Sequence, residues 1–66
     1  MFQILVVDDD PQMQFFLREA LERERYSVVV KATAESALDV LKTTPFDLIL
    51  MDVRLPGMNE IGRAHV

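Results

Sequence analysis

The chain has 66 residues and no cysteine, and seven Lys and Arg against eleven Asp and Glu give it a formal net charge of −4. This length builds at most one small domain, no disulfide or thiolate metal site can brace it, and the acidic balance disfavours nucleic acid and anionic lipid as direct partners. Half of the residues are hydrophobic, yet no apolar run approaches the roughly 20 residues of a membrane span, and Met1-Phe2-Gln3 offers no basic region ahead of its apolar stretch, so a cytoplasmic globular protein is expected.

Gln3 to Val7 is a short, continuous apolar run followed by acids, the pattern of a strand buried on both faces. Asp10-Pro11 then supplies a helix start, with a capping carboxylate and a proline at the first helical position, where its missing N–H costs nothing. The helix is predicted from Pro11 to about Glu24, with Met13, Phe16, Leu17, Ala20 and Leu21 as the apolar stripe that packs on a sheet. Tyr26 to Ala32 contains Val28-Val29-Val30 and reads as a second strand. Thr33 can cap a second helix that reaches about Lys42 on Ala34, Ala37, Leu38 and Leu41, and Pro45 prevents its continuation. Phe46 to Met51 is the third predicted strand, and Arg54-Leu55-Pro56-Gly57-Met58 after it has turn chemistry.

The order βαβαβ predicts an α/β fold, and right-handed crossovers place the first strand in the middle of a parallel sheet of order 2-1-3. Asp8, Asp9 and Asp52 then meet at the carboxyl ends of adjacent strands, where open α/β sheets bind ligands. An isolated run such as Asp8-Asp9-Asp10 is more often only a strand end and a helix cap, and Asp10 keeps that role here. A second strand-terminal carboxylate at Asp52 shifts the reading toward chemistry. Crowded carboxylates repel one another, and a hard divalent cation such as Mg²⁺ resolves the conflict while leaving room for phosphate oxygens. A carboxylate beside such an ion can attack phosphorus, so phosphoryl chemistry is expected. Phe15-Phe16 and the four methionines are assigned to core or surface and to no site.

These residues carry a family resemblance. Ile4-Leu5-Val6-Val7-Asp8-Asp9-Asp10-Pro11 together with Asp47-Leu48-Ile49-Leu50-Met51-Asp52-Val53-Arg54-Leu55-Pro56-Gly57-Met58-Asn59 resembles the receiver domain of two-component response regulators, a flavodoxin-like fold, over residues 3–59. The resemblance implies a phosphorelay module, not an enzyme, in which Asp52 accepts a phosphoryl group from a histidine kinase or phosphotransfer protein. It further implies that Mg²⁺ is held by Asp8, Asp9, Asp52 and the backbone carbonyl of Arg54, and that Pro56-Gly57 shapes the phosphorylation edge. The family's fourth-strand Ser or Thr, its fifth-strand aromatic residue and its lysine before a cis-proline have no counterparts in these 66 residues. Residues 3–59 are therefore expected to be the N-terminal half of a receiver, impaired on its own, with low stability, self-association through an uncovered sheet, or both.

Two other functions compete. One is a non-phosphorylated protein-interaction fragment. The other is an Mg²⁺-dependent phosphohydrolase with an aspartate nucleophile, which would want a general-acid Asp at position 54, where Arg stands. A nucleotide-binding ATPase is disfavoured because no G-x-x-x-x-G-K-[ST] loop occurs. The tail from Glu60 to Val66 departs from the family pattern. GAG ATC GGA AGA GCA CAC GTC TGA would encode it with a stop, and AGATCGGAAGAGC within that string matches a common library adapter. The tail is accordingly expected to be a translated sequencing adapter, and His65 is given no role. An uninterrupted genomic locus encoding the same tail would sink that idea.

Overall fold

The computed structural model describes residues 1–52. β1 (Gln3–Val7), α1 (Pro11–Arg23), β2 (Ser27–Lys31), α2 (Ala34–Leu41) and β3 (Leu48–Met51) follow one another, and the strands form a parallel sheet in the order β2-β1-β3. Register is set on both sides of the central strand: Leu5 lies opposite Val29 and Ile49, and Val7 opposite Lys31 and Met51.

The unbroken apolar run of β1 is explained by burial on both of its faces, since Ile4, Leu5, Val6 and Val7 are all sequestered from solvent. Leu5 and Val7 pack with Ala37 of α2, and Val29, Val40, Leu41 and Phe46 close around them. Val6 and Leu50 share a cleft with Met13 and Leu17 of α1. Asp10 caps α1 by accepting the Gln12 N–H at 3.0 Å, and Thr33 caps α2 by accepting the Ser36 N–H at 3.1 Å. Such caps are each worth about 1 kcal/mol.

The starts of β3 and β2 differ from the sequence expectation, each for a local reason. β3 begins at Leu48 instead of Phe46, because Asp47 turns its carboxylate back onto β1: Asp47 Oδ2 accepts the Gln3 N–H at 2.7 Å while the Asp47 N–H donates to the Gln3 carbonyl at 2.8 Å. β2 loses Tyr26, whose N–H donates to the Leu21 carbonyl at 3.2 Å and whose ring lies 5.2 Å from that of Phe2. The apolar stripe of α1 is only partly covered: no residue of the helix is fully buried, Leu17 and Leu21 are half-buried, and Phe16 is exposed. Phe16 is 63% exposed and Leu48 of β3 is 42% exposed, so among the described residues both the helix and the sheet leave apolar surface uncovered.

α1 ends in a Schellman motif, with Tyr26 N–H to Leu21 O at 3.2 Å and Arg25 N–H to Glu22 O at 2.9 Å. That motif needs a left-handed residue, and Arg25 supplies it at φ 68° despite its Cβ. Arg25→Gly is therefore expected to stabilise the chain by about 1 kcal/mol, which raises a thermal midpoint by roughly 5 °C in a domain of this size. A thermal melt showing no rise would mean that the Arg25 side chain makes compensating contacts.

Among the described residues, no helix is long and apolar enough to cross a membrane. Arg54, the Pro56-Gly57 turn and the tail from Glu60 to Val66 lie outside the described residues.

Candidate functional site

The carboxyl ends of β1 and β3 extend one step past the regular strands. The Asp8 N–H donates to the Lys31 carbonyl of β2 at 3.0 Å, and the Asp52 N–H donates to the Val7 carbonyl of β1 at 2.9 Å. Because Val7 is level with Met51, the next step sets Asp8 beside Asp52, on the sheet face that carries Val6 and Leu50. One carboxylate oxygen from each of Asp8, Asp9 and Asp52 lies within 4.8 Å of the others. Asp8 is buried, Asp52 half-buried and Asp9 exposed, so the cluster opens to solvent from one side.

The loop beneath is built by its own polar groups. Asp8 Oδ1 accepts the Asp10 N–H at 2.9 Å, which bends the chain from strand to helix, and the side-chain amide of Gln14 donates to the Asp8 main-chain carbonyl. Asp10 turns toward α1 as its cap and does not join the cluster. Beside the cluster lies a cleft of about 350 Å³ lined by Val6, Met13, Leu17 and Leu50, with Asp8 and Asp52 at its rim. Asp8, Asp9 and Asp52 thus converge as the sequence suggests; Gln14 was not anticipated. Its only sequence signal is a polar side chain one helical turn beyond the cap, a spacing too common to single out.

Two like charges about 4 Å apart near a protein surface repel by about 4 kcal/mol, and a bound cation relieves that repulsion. The donor set, all carboxylate oxygen, suits a hard ion such as Mg²⁺ over a thiophilic one. An oxygen-lined acidic edge on a three-stranded parallel sheet, at the strand-order switch, defines a flavodoxin-like α/β protein with a polar site at its carboxyl edge.

Residues 4–62 match the family model of the response regulator receiver domain, and the chain belongs to that family. Among curated relatives, it is 44% identical over 61 residues to transcriptional regulatory protein CpxR of Escherichia coli K12, covering 92% of this chain and 26% of that protein. It is 36% identical over 59 residues to sporulation initiation phosphotransferase F of Bacillus subtilis, covering 89% of this chain and 48% of the relative. The fold superimposes on the non-phosphorylated HemR receiver domain from Leptospira biflexa with a TM-score of 0.78 and 30% identity, over 97% of this chain and 56% of that one. The chain thus spans about a quarter to a half of the curated relatives named here. Receiver domains are signalling modules, and a parallel sheet of order 2-1-3 with flanking helices is what this family's fold requires of its first three strands.

Proposed function

We propose that Asp52 is the phospho-acceptor of this receiver and that Asp8, Asp9 and Asp52, with the main-chain carbonyl of Arg54, hold Mg²⁺. The observation that supports this most directly is the meeting of three carboxylates within 4.8 Å at the ends of two adjacent strands. The donor would be a histidine kinase or a phosphotransfer protein, a reading supported by the relative named as a phosphotransferase. A carboxylate oxygen of Asp52 forms a bond to phosphorus as the bond from phosphorus to the donor's leaving atom breaks, which leaves an acyl phosphate on Asp52. When bound, Mg²⁺ supplies charge neutralisation for the transferred group. Asp8 and Asp9 contribute the negative charge that attracts the ion. Residues 3–59 would form the first half of the receiver, consistent with the partial spans of the relatives.

The test is intact-mass spectrometry of the chain after incubation with acetyl phosphate and Mg²⁺. An adduct of about 80 Da is expected, lost on hydroxylamine treatment and absent when a chelator replaces the metal, because an acyl phosphate is itself cleaved by nucleophiles. No adduct in a sample shown by circular dichroism to be folded would overturn phospho-acceptance by these 66 residues. An adduct that forms equally well with chelator would overturn the metal's part in it.

A further inference from the structure

We infer that Gln14 is a positioning residue for the acidic cluster, acting through the backbone on either side of Asp9. Asp9 is exposed, and its carboxylate has no hydrogen bond of its own among the described residues, so its aim depends on the two peptide groups that flank it. Both are tied down. The Asp9–Asp10 peptide is held through its N–H, which donates to Asp8 Oδ1 at 2.9 Å. The Asp8–Asp9 peptide is held through its carbonyl, which accepts from the Gln14 side-chain amide.

Gln14 is well placed for this task. Its main-chain N–H donates to the Asp10 carbonyl at 2.9 Å as a regular helical bond, so its backbone is fixed by the same helix that Asp10 caps. The side chain is half-buried, beside Pro11, Phe15, Arg18 and Val30, which limits the rotamers open to it. One residue of α1 therefore donates to two carbonyls of the turn, and rotation of the Asp8–Asp9 peptide, which would swing the Asp9 carboxylate away from Asp8 and Asp52, breaks the side-chain bond. A neutral amide does this without setting a cation beside the carboxylates.

The consequence for metal binding rests on the reading of the cluster as an Mg²⁺ site; the consequence for the loop does not. The test compares the parent chain with Gln14→Leu, which keeps bulk and loses the donor, and Gln14→Arg, which restores a donor. In metal-free buffer, amide hydrogen exchange by NMR is expected to quicken at Asp10 about fivefold in Gln14→Leu, the fold-change for one ordinary hydrogen bond, with the Val6 amide unchanged. Gln14→Arg is expected to return the Asp10 rate to the parent value. In a titration with Mg²⁺ alone, Gln14→Leu is expected to bind about tenfold more weakly, as for other groups that orient metal ligands from outside the ligand shell.

Unchanged exchange at Asp10 in Gln14→Leu overturns the inference. So does equal acceleration at Asp10 and Val6, which would show general loss of stability instead of release of the loop. A parent chain that ignores Mg²⁺ while Asp10 still responds to Gln14→Leu and is rescued by Gln14→Arg would overturn the metal reading and leave the positioning role standing.

Discussion

Asp52→Ala is expected to abolish the phosphoryl adduct entirely, whereas Asp8→Asn is expected to slow its formation about 10- to 100-fold and leave it detectable. The difference follows from what each oxygen does. On the proposed reading Asp52 supplies the atom that bonds to phosphorus, and no neighbour can replace it without moving the strand end that its N–H ties to Val7. Asp8 supplies charge and a loop bond, and asparagine keeps the second: its Oδ1 can still accept the Asp10 N–H that Asp8 Oδ1 accepts at 2.9 Å. Removing one of three clustered charges also relieves repulsion, so Asp8→Asn should hold or raise the denaturant midpoint measured without metal. Phosphoryl transfer followed by mass, with peptide mapping of the adduct, checks both. An adduct persisting in Asp52→Ala, mapped to Asp8 or Asp9, would move the acceptor to another residue of the cluster. A fall in the metal-free midpoint of Asp8→Asn would mean that burial of its carboxylate is compensated by more than the Asp10 bond.

The convergence of Asp8, Asp9 and Asp52 was legible because it depends only on quantities that the sequence exposes. An unbroken apolar strand implies burial on both faces, a parallel arrangement follows from the intervening helices, and carboxylates just past two such strands must then share an edge. The start of α1 was legible for a similar reason, since Asp10-Pro11 carries its own chemistry. What escaped were interactions between a side chain and a distant or unexpected backbone group. Asp47 looks like the polar start of a strand, yet its carboxylate takes the Gln3 N–H 44 residues away and delays β3 to Leu48. Arg25 gives no hint of a left-handed conformation, which is dictated by the two bonds that close the helix end and not by residue preference. Phe16 reads as an inward-facing residue by periodicity but stays exposed, because periodicity shows which face of a helix is apolar without showing which of its residues are covered.

Leu5→Ala is expected to unfold most of the chain. Leu5 has no exposed surface and sits at the middle of the central strand, packed with Val7 and Ala37 and enclosed by Val29, Val40, Leu41 and Phe46. Truncation of such a leucine costs about 2–5 kcal/mol, and the stability of a domain this small lies near or below the low end of the usual range, about 5 kcal/mol. Among the described residues the core has little redundancy: four of the five fully buried hydrophobic residues, Ile4, Leu5, Val6 and Val7, are consecutive in β1, and the fifth is Ala37. Phe15→Ala is the contrasting case. Its ring is 66% exposed, and its loss is expected to change stability by no more than about 0.5 kcal/mol. Denaturant titrations of the two variants, followed by circular dichroism, should therefore differ sharply, and equal midpoints would show that the core lies outside the β1 cluster. The same strand carries the site, since Asp8 continues β1 and Asp52 is tied to Val7. Adduct formation in Leu5→Ala should consequently fall in proportion to the folded fraction, while Phe15→Ala, still folded, retains whatever phosphoryl chemistry the parent shows with acetyl phosphate.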